Sequence, residues 1–242
     1  MTDTNTVHWK RISIEALAIV ASILLAFAID AWWANVQERG FEHEILLSLQ
    51  EEFQDHRDEL EQQRITHTSL LGAVLSLISF ANTGVYDDSQ FSIDRQMFLL
   101  RVPVTTDFGS GVRDALISSG RIEVISNKPL RFEIAEWASV LDELKDDQQH
   151  GVKIVFDMVL PYLIREGVPT ASLVRGLNGS ELISYSRILA DQPDVVERLF
   201  TDPEFLTILE VRYGFLNHAL GEYDSLIEAT DSILVKLGIE LR

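Results

Sequence analysis

The sequence predicts an all-α chain: one N-terminal transmembrane helix followed by an extracytoplasmic helical bundle with long antiparallel helices. Three observations predict it. A long apolar stretch opens the chain, apolar residues then recur at spacings of three and four, and strand signals are sparse. The expected division is a cytoplasmic tail over 1–11, a membrane helix over 12–34 and an acidic helical domain over 35–242.

The apolar stretch, Ile12 to Trp33, reads ISIEALAIVASILLAFAIDAWW. At 1.5 Å per residue a helix of that length spans roughly 33 Å, enough for a hydrocarbon layer of about 30 Å. Lys10 and Arg11 precede it, while the acids Asp30, Glu38, Glu42 and Glu44 dominate its C-terminal side. The positive-inside rule then leaves Met1 in the cytoplasm of a bacterial inner membrane and places the bulk outside. Trp32 and Trp33 fall where an interfacial aromatic belt belongs, so Lys10, Arg11, Trp32 and Trp33 are the expected interfacial anchors and the lipid bilayer the first expected partner. Two rivals stay open. Ala26-Phe27-Ala28 fits the cleavage site of a signal peptide, although Glu15 interrupts its apolar region. A buried helix of a soluble protein is the other, since only fourteen uncharged residues separate Glu15 from Asp30.

Ala18, Ser22, Ala26, Asp30 and Ala34 recur every fourth residue and form a ridge of short side chains on one face. Glu15 projects only about 60° from Asp30 at 100° per residue, so both carboxylates lie near that ridge. A carboxyl at this depth favours protein or water over lipid. Glu15, Ala18, Ser22, Ala26 and Asp30 are therefore the expected contact with another membrane helix, of a partner protein or of a second copy. The plainer reading is that alanine is common in membrane helices and Glu15 sits at headgroup level.

Beyond Trp33 the helical pattern continues. Leu49, Phe53, His56, Leu60, Gln63, His67, Leu70, Val74, Leu77 and Ala81 form a heptad-like stripe ending at Asn82-Thr83-Gly84. Residues 84–111, with Pro103 and β-capable pieces, read as a long connection. A compact unit comes next, with Gly120 suited to a helix C-terminus and Asn127 to the next N-cap. That next helix carries Leu130, Ile134, Trp137, Leu141, Leu144 and Gln148 on one face. Val152–Leu163 is apolar core, with Pro161 a kink or an end. Gly167–Gly179 reads as a loop, with Ser180 capping a short helix. Asp202-Pro203-Glu204 combines cap, first-turn proline and first-turn acid. It starts a long helix with Phe205, Leu209, Arg212, Leu216, Ala219, Tyr223, Leu226, Thr230, Ile233 and Leu237 in register.

Composition narrows the chemistry. Forty-six per cent apolar residues support a sizeable core, and 38 acidic against 20 basic residues give a net charge of −18. Such a surface repels a phosphate backbone, so no nucleic-acid partner is expected. With no cysteine, thiolate nucleophiles, zinc–thiolate sites and iron–sulfur clusters are excluded. Glu-x-x-His pairs of a di-iron bundle are absent. Glu52 with His56, and His218 with Glu222, stand four apart, a spacing that arises often on charged helices. FGSG at Phe108–Gly111 lacks the Lys-Ser or Lys-Thr of a phosphate loop, and no Gly-x-Ser-x-Gly elbow occurs. No catalytic residue, metal ligand or cofactor is expected. The feature with binding potential is a polar core layer of His56, Gln63 and His67, which Arg212 can face. Three readings of it stand open: a helix face that leaves the core and meets water, a polar layer fixing register, and a ligand or pH sensor.

The opening, Lys10-Arg11 with IEALAIVASILLAFAIDAWW and Gln37-Glu38-Arg39 after it, resembles a group of uncharacterised bacterial membrane proteins that share a domain of unknown function. DALISSGRIEVISN at Asp114–Asn127, with Leu130-Arg131 and Trp137, is similar to the same group. Together these stretches cover about half of the chain. The resemblance implies a one-span anchor and a helical domain, and it implies no activity. The expected function is accordingly a non-catalytic accessory or interaction subunit. A ligand- or pH-sensing periplasmic bundle is the alternative.

Overall fold

The computed structural model describes residues 9–84, 92–105, 108, 111–168, 189 and 192–242, with side chains from residue 14 onward. Of these residues 89% are helical and none lies in a strand. The expected loop at Gly167–Gly179 beyond Val168, and the short helix after Ser180, lie outside the described residues.

Helix α1 runs without a break from Trp9 to Thr83, 75 residues, so no structural boundary marks the expected end of the membrane segment at residue 34. It stops where expected, at Gly84, whose φ of +64° is open to glycine at little cost and whose N–H bonds to the Phe80 carbonyl. Residues 84–111 depart from the expected connection. Helix α2, Ile93–Leu100, lies within them and buries Met97, Phe98 and Leu100. An eight-residue helix is marginal by itself, so tertiary burial and not a local signal decides it.

Helix α3, Val112–Ser118, ends at Gly120 with φ +69°, and a 3₁₀ turn at Arg121–Val124 comes after it. The Asn127 side chain accepts from the Leu130 N–H to start α4, Lys128–Lys153. Pro161 does not end this run. The helix widens into a π turn at Ile154–Val159 and resumes as α5, Leu160–Arg165. Pro161 thereby stands in a first turn, where its missing N–H costs little. Helix α6 spans Pro193–Thr201, and α7 spans Pro203–Glu240 with Asp202 accepting from the Glu204 N–H.

Two apolar clusters form the core. One joins Leu49, Phe53 and Leu60 of α1 to Trp137 and Leu141 of α4 and to Leu226, Ile233 and Leu237 of α7. The other joins Leu70, Val74 and Leu77 to Leu100 of α2, Leu163 of α5 and Phe205 and Leu209 of α7. All ten positions of the α7 stripe are buried, Arg212 and Thr230 included. Along α1 and α7 the cross-contacts are Arg57 with Asp231, Arg64 with Asp224, and His67 with Tyr223; farther on, Phe80 of α1 meets Phe200 of α6.

Candidate functional site

The opening stretch of the described chain has no cover. Every described side chain from Ile14 to Phe41 is exposed, and the first buried one is Ile45. Leu17 is 73% exposed and Phe27 67%, on the one helix long and apolar enough to cross a membrane among the described residues. None of that window is buried, unlike the core helix of a soluble protein. Glu15, Ala18, Ser22, Ala26 and Asp30 are all exposed on this stretch. The Ser22 hydroxyl bonds the Ala18 carbonyl at 2.8 Å, so the ridge's one hydroxyl is satisfied within its own helix. Trp32 and Trp33 project from the same stretch with ring centroids 6.3 Å apart. Of Lys10 and Arg11 only the helical backbone is described.

The point where α1 joins the helical body is pinned from the side. The Glu42 carboxylate accepts from the Ser126 N–H at 2.5 Å and the Ser126 hydroxyl at 2.9 Å, and the Arg121 guanidinium lies 4.8 Å from the Phe41 ring centre. The Asp114–Asn127 segment therefore braces α1 at the foot of the exposed stretch.

His56 does not meet water. It is 7% exposed, stacks on Trp137 and meets Phe53 and Phe108 edge-on. Burial, reinforced by Arg113, pushes its pKa down to about 4. Among the described residues, three polar atoms in this corner are buried without hydrogen-bond partners: His56 Nδ1, Arg113 Nη1 and Glu52 Oε1. The other Glu52 oxygen accepts from the Arg113 N–H at 3.0 Å, and Arg113 pairs with Asp114 at 2.6 Å. A Cβ on Gly111 would stand 2.5 Å from the Glu52 carboxylate, so a side chain there would push that carboxylate aside.

His67 is buried too, with its Nδ1 3.2 Å from the Gln63 carbonyl and its ring 4.7 Å from that of Tyr223. Burial pushes its pKa down to about 4; the Gln63 carbonyl opposes the shift and Arg212 adds to it. Tyr223 in turn accepts from Gln148 Nε2 at 2.7 Å. His67 thus sits where one apolar cluster gives way to the other, between Leu60 and Leu70. Arg212, 1% exposed, donates to the Val102 carbonyl at 2.7 Å and toward that of Gly151 at 3.4 Å. Burial lowers its pKa to about 10.

The expected polar layer is accordingly two separate places. His67 and Arg212 come together; His56 belongs to the Trp137 corner, eleven residues or about 16 Å along α1. Gln63 is a correction: it is half-buried, and its amide donates to Glu59 on its own helix at 3.0 Å. Its four-residue reach to a carboxylate at the surface replaces a place in the core. The sequence names Glu52 only through its four-residue spacing to His56 and does not single out Arg113, which lies on a seven-residue helix too short to show a period. Its only local signal is a place three residues before the buried Leu116.

Compared with family models, with curated proteins and with solved structures, the chain matches none.

Proposed function

We propose that this chain is a non-catalytic single-pass membrane protein, an accessory or interaction subunit that docks a larger membrane partner or a second copy of itself. The observation that carries the reading is the bare apolar stretch of α1. Burying its side chains in hydrocarbon recovers about 25 cal/mol per Å² that water would otherwise cost. The basic pair at its start and the acids at its end support a cytoplasmic N-terminus and an extracytoplasmic, periplasmic domain. The contacts Arg57–Asp231 and His67–Tyr223 pair residues advancing on α1 with residues receding on α7, which supports long antiparallel helices in that domain. Because α1 is continuous, a load on the membrane segment passes straight to the domain core.

Gentle purification of the full-length protein from its native membrane tests the reading. A stoichiometric membrane partner or a defined homo-oligomer is expected. Ala18→Leu combined with Ala26→Leu is expected to release it, since close helix approach needs the small side chains. Unchanged association in that variant overturns the ridge as the contact.

A second reading, a ligand- or pH-sensing domain, rests on a different observation: two buried histidines, His56 and His67, without a carboxylate hydrogen bond among the described residues. Flat thermal stability between about pH 5 and 8 would remove it.

A further inference from the structure

We propose that Asp147, His218 and Glu222 form a binding site for one divalent first-row transition ion, of the zinc kind, across the contact between α4 and α7. The inference is independent of the membrane reading. In sequence, His218 and Glu222 offer only a two-ligand pair four residues apart, and Asp147 lies some seventy residues upstream. Packing of α4 on α7 adds the third ligand.

The geometry suits a small ion. His218 Nε2 lies 3.3 Å from an Asp147 oxygen and 3.6 Å from a Glu222 oxygen, and one ligand atom from each residue falls within 4.8 Å of the others. Four ligands at about 2.0–2.1 Å around a tetrahedral ion stand roughly 3.3 Å from each other. The three groups therefore already stand near the spacing that an ion imposes.

Charge points the same way. Two carboxylates face each other here, and Glu143 adds a third negative charge nearby. The ion pairs of Asp147 and Glu222 are to histidines, His218 and His150, and to no lysine or arginine among the described residues. The Glu222 carboxyl is half-buried and shares a hydrogen bond with Asp147, so the two ligands already stand in contact. A structural ion-pair network would carry a permanent cation at this place; the cluster instead offers nitrogen and oxygen donors with an excess of negative charge.

The frame is rigid. Gln148 and Tyr223, each the next residue along from a proposed ligand, join α4 to α7 by a buried 2.7 Å hydrogen bond. His218 is 67% exposed, so an ion enters from water and keeps an open coordination position. His150, 3.7 Å from the second Asp147 oxygen, orients that carboxylate or completes the set. An imidazole donor favours zinc-like ions over calcium and magnesium, which prefer oxygen alone.

The test uses full-length protein in detergent, freed of any affinity tag and stripped with chelator, then dialysed against zinc ion with the bound metal quantified. One equivalent per chain is expected, with a melting temperature that rises with zinc concentration as mass action requires. His218→Ala and Asp147→Asn should each weaken zinc binding by at least about tenfold, while His43→Ala, an exposed histidine elsewhere, leaves it unchanged. The exposed His218 tolerates substitution, so its metal-free variant should melt with the parent. Absence of saturable binding, full binding by His218→Ala, or equal binding of calcium overturns the proposal.

Discussion

The imidazole of His56 lies flat against the indole of Trp137, ring centroids 5.1 Å apart and planes 9° apart. This stack ties α1 to α4 beside the apolar cluster that holds Trp137, and the Arg113 guanidinium sits 4.6 Å from the centre of the same indole. Trp137 completes its own bonding by donating to the Thr230 hydroxyl of α7 at 2.7 Å. One side chain thus gathers three helices, and the neutral form of His56 is the one that fits there.

That arrangement predicts acid sensitivity. His56 and His67 hold pKa values of about 4 in the folded chain, against 6.5 as the ordinary value. Around them lie Asp55, Arg113, Asp114 and Lys145 for His56, and Arg212 for His67. Because the folded values are depressed, the unfolded chain binds more protons between about pH 6.5 and 4. The two histidines therefore contribute fully above about pH 6.5 and progressively less as pH falls toward about 4. At pH 5 each should remove about 2 kcal/mol relative to pH 8. Denaturant melts across that range check it, and His56→Leu should flatten the slope by about half. A slope unchanged in that variant would show that other groups carry it.

Two glycines of similar helical setting should respond with opposite sign. A Cβ at Gly151 would stand 2.3 Å from the Phe215 ring, and the Gly151 carbonyl is also an acceptor for Arg212. Gly151→Ala should cost about 1–3 kcal/mol, as overpacking does. At Gly214 none of the described residues lies within 4 Å of an added Cβ, so Gly214→Ala should stabilise by about 0.5–1 kcal/mol through helix propensity. Paired unfolding curves decide both.

The absence of native cysteine makes the topology directly measurable. Single cysteines at Thr4 and at the exposed Ser225 should react differently with a membrane-impermeant thiol reagent applied to intact cells. Ser225→Cys should label from outside and Thr4→Cys only after lysis. Labelling of both, or the reverse order, would contradict the proposed orientation.

Core truncation should respect the register of α1. Phe53→Ala empties a fully buried site beside His56 and Trp137 and should cost about 3–5 kcal/mol. Leu47→Ala, at a 48% exposed position of the same helix, should stay within about 0.5 kcal/mol. Equal effects would mean that the register is misplaced.

Much of the helical architecture could be read locally. The stripes of α4 and α7 name their buried faces residue by residue, since a 3.6-residue period is a property of one segment alone. The same holds for the ends: Gly84 and Gly120 take positive φ, and Asn127 and Asp202 accept the first-turn N–H groups that their side chains suit. The apolar stretch from Ile14 onward, and its fitness to cross a membrane, come from composition and length.

Other features depend on what lies opposite, which no single segment specifies. Whether His56 and His67 meet water or a core was decided by Trp137 and Tyr223, some 80 and 160 residues away in the chain. Helix α2 exists because α1 offers it an apolar surface, and Pro161 is tolerated because a π turn absorbs it. Glu52 meets the start of α3, and Asp147 meets His218, only through the packing of helices distant in sequence. Periodicity states which face of a helix is buried; the free energy of packing against a particular neighbour states what that face touches, and it is set by side chains that the local pattern does not contain.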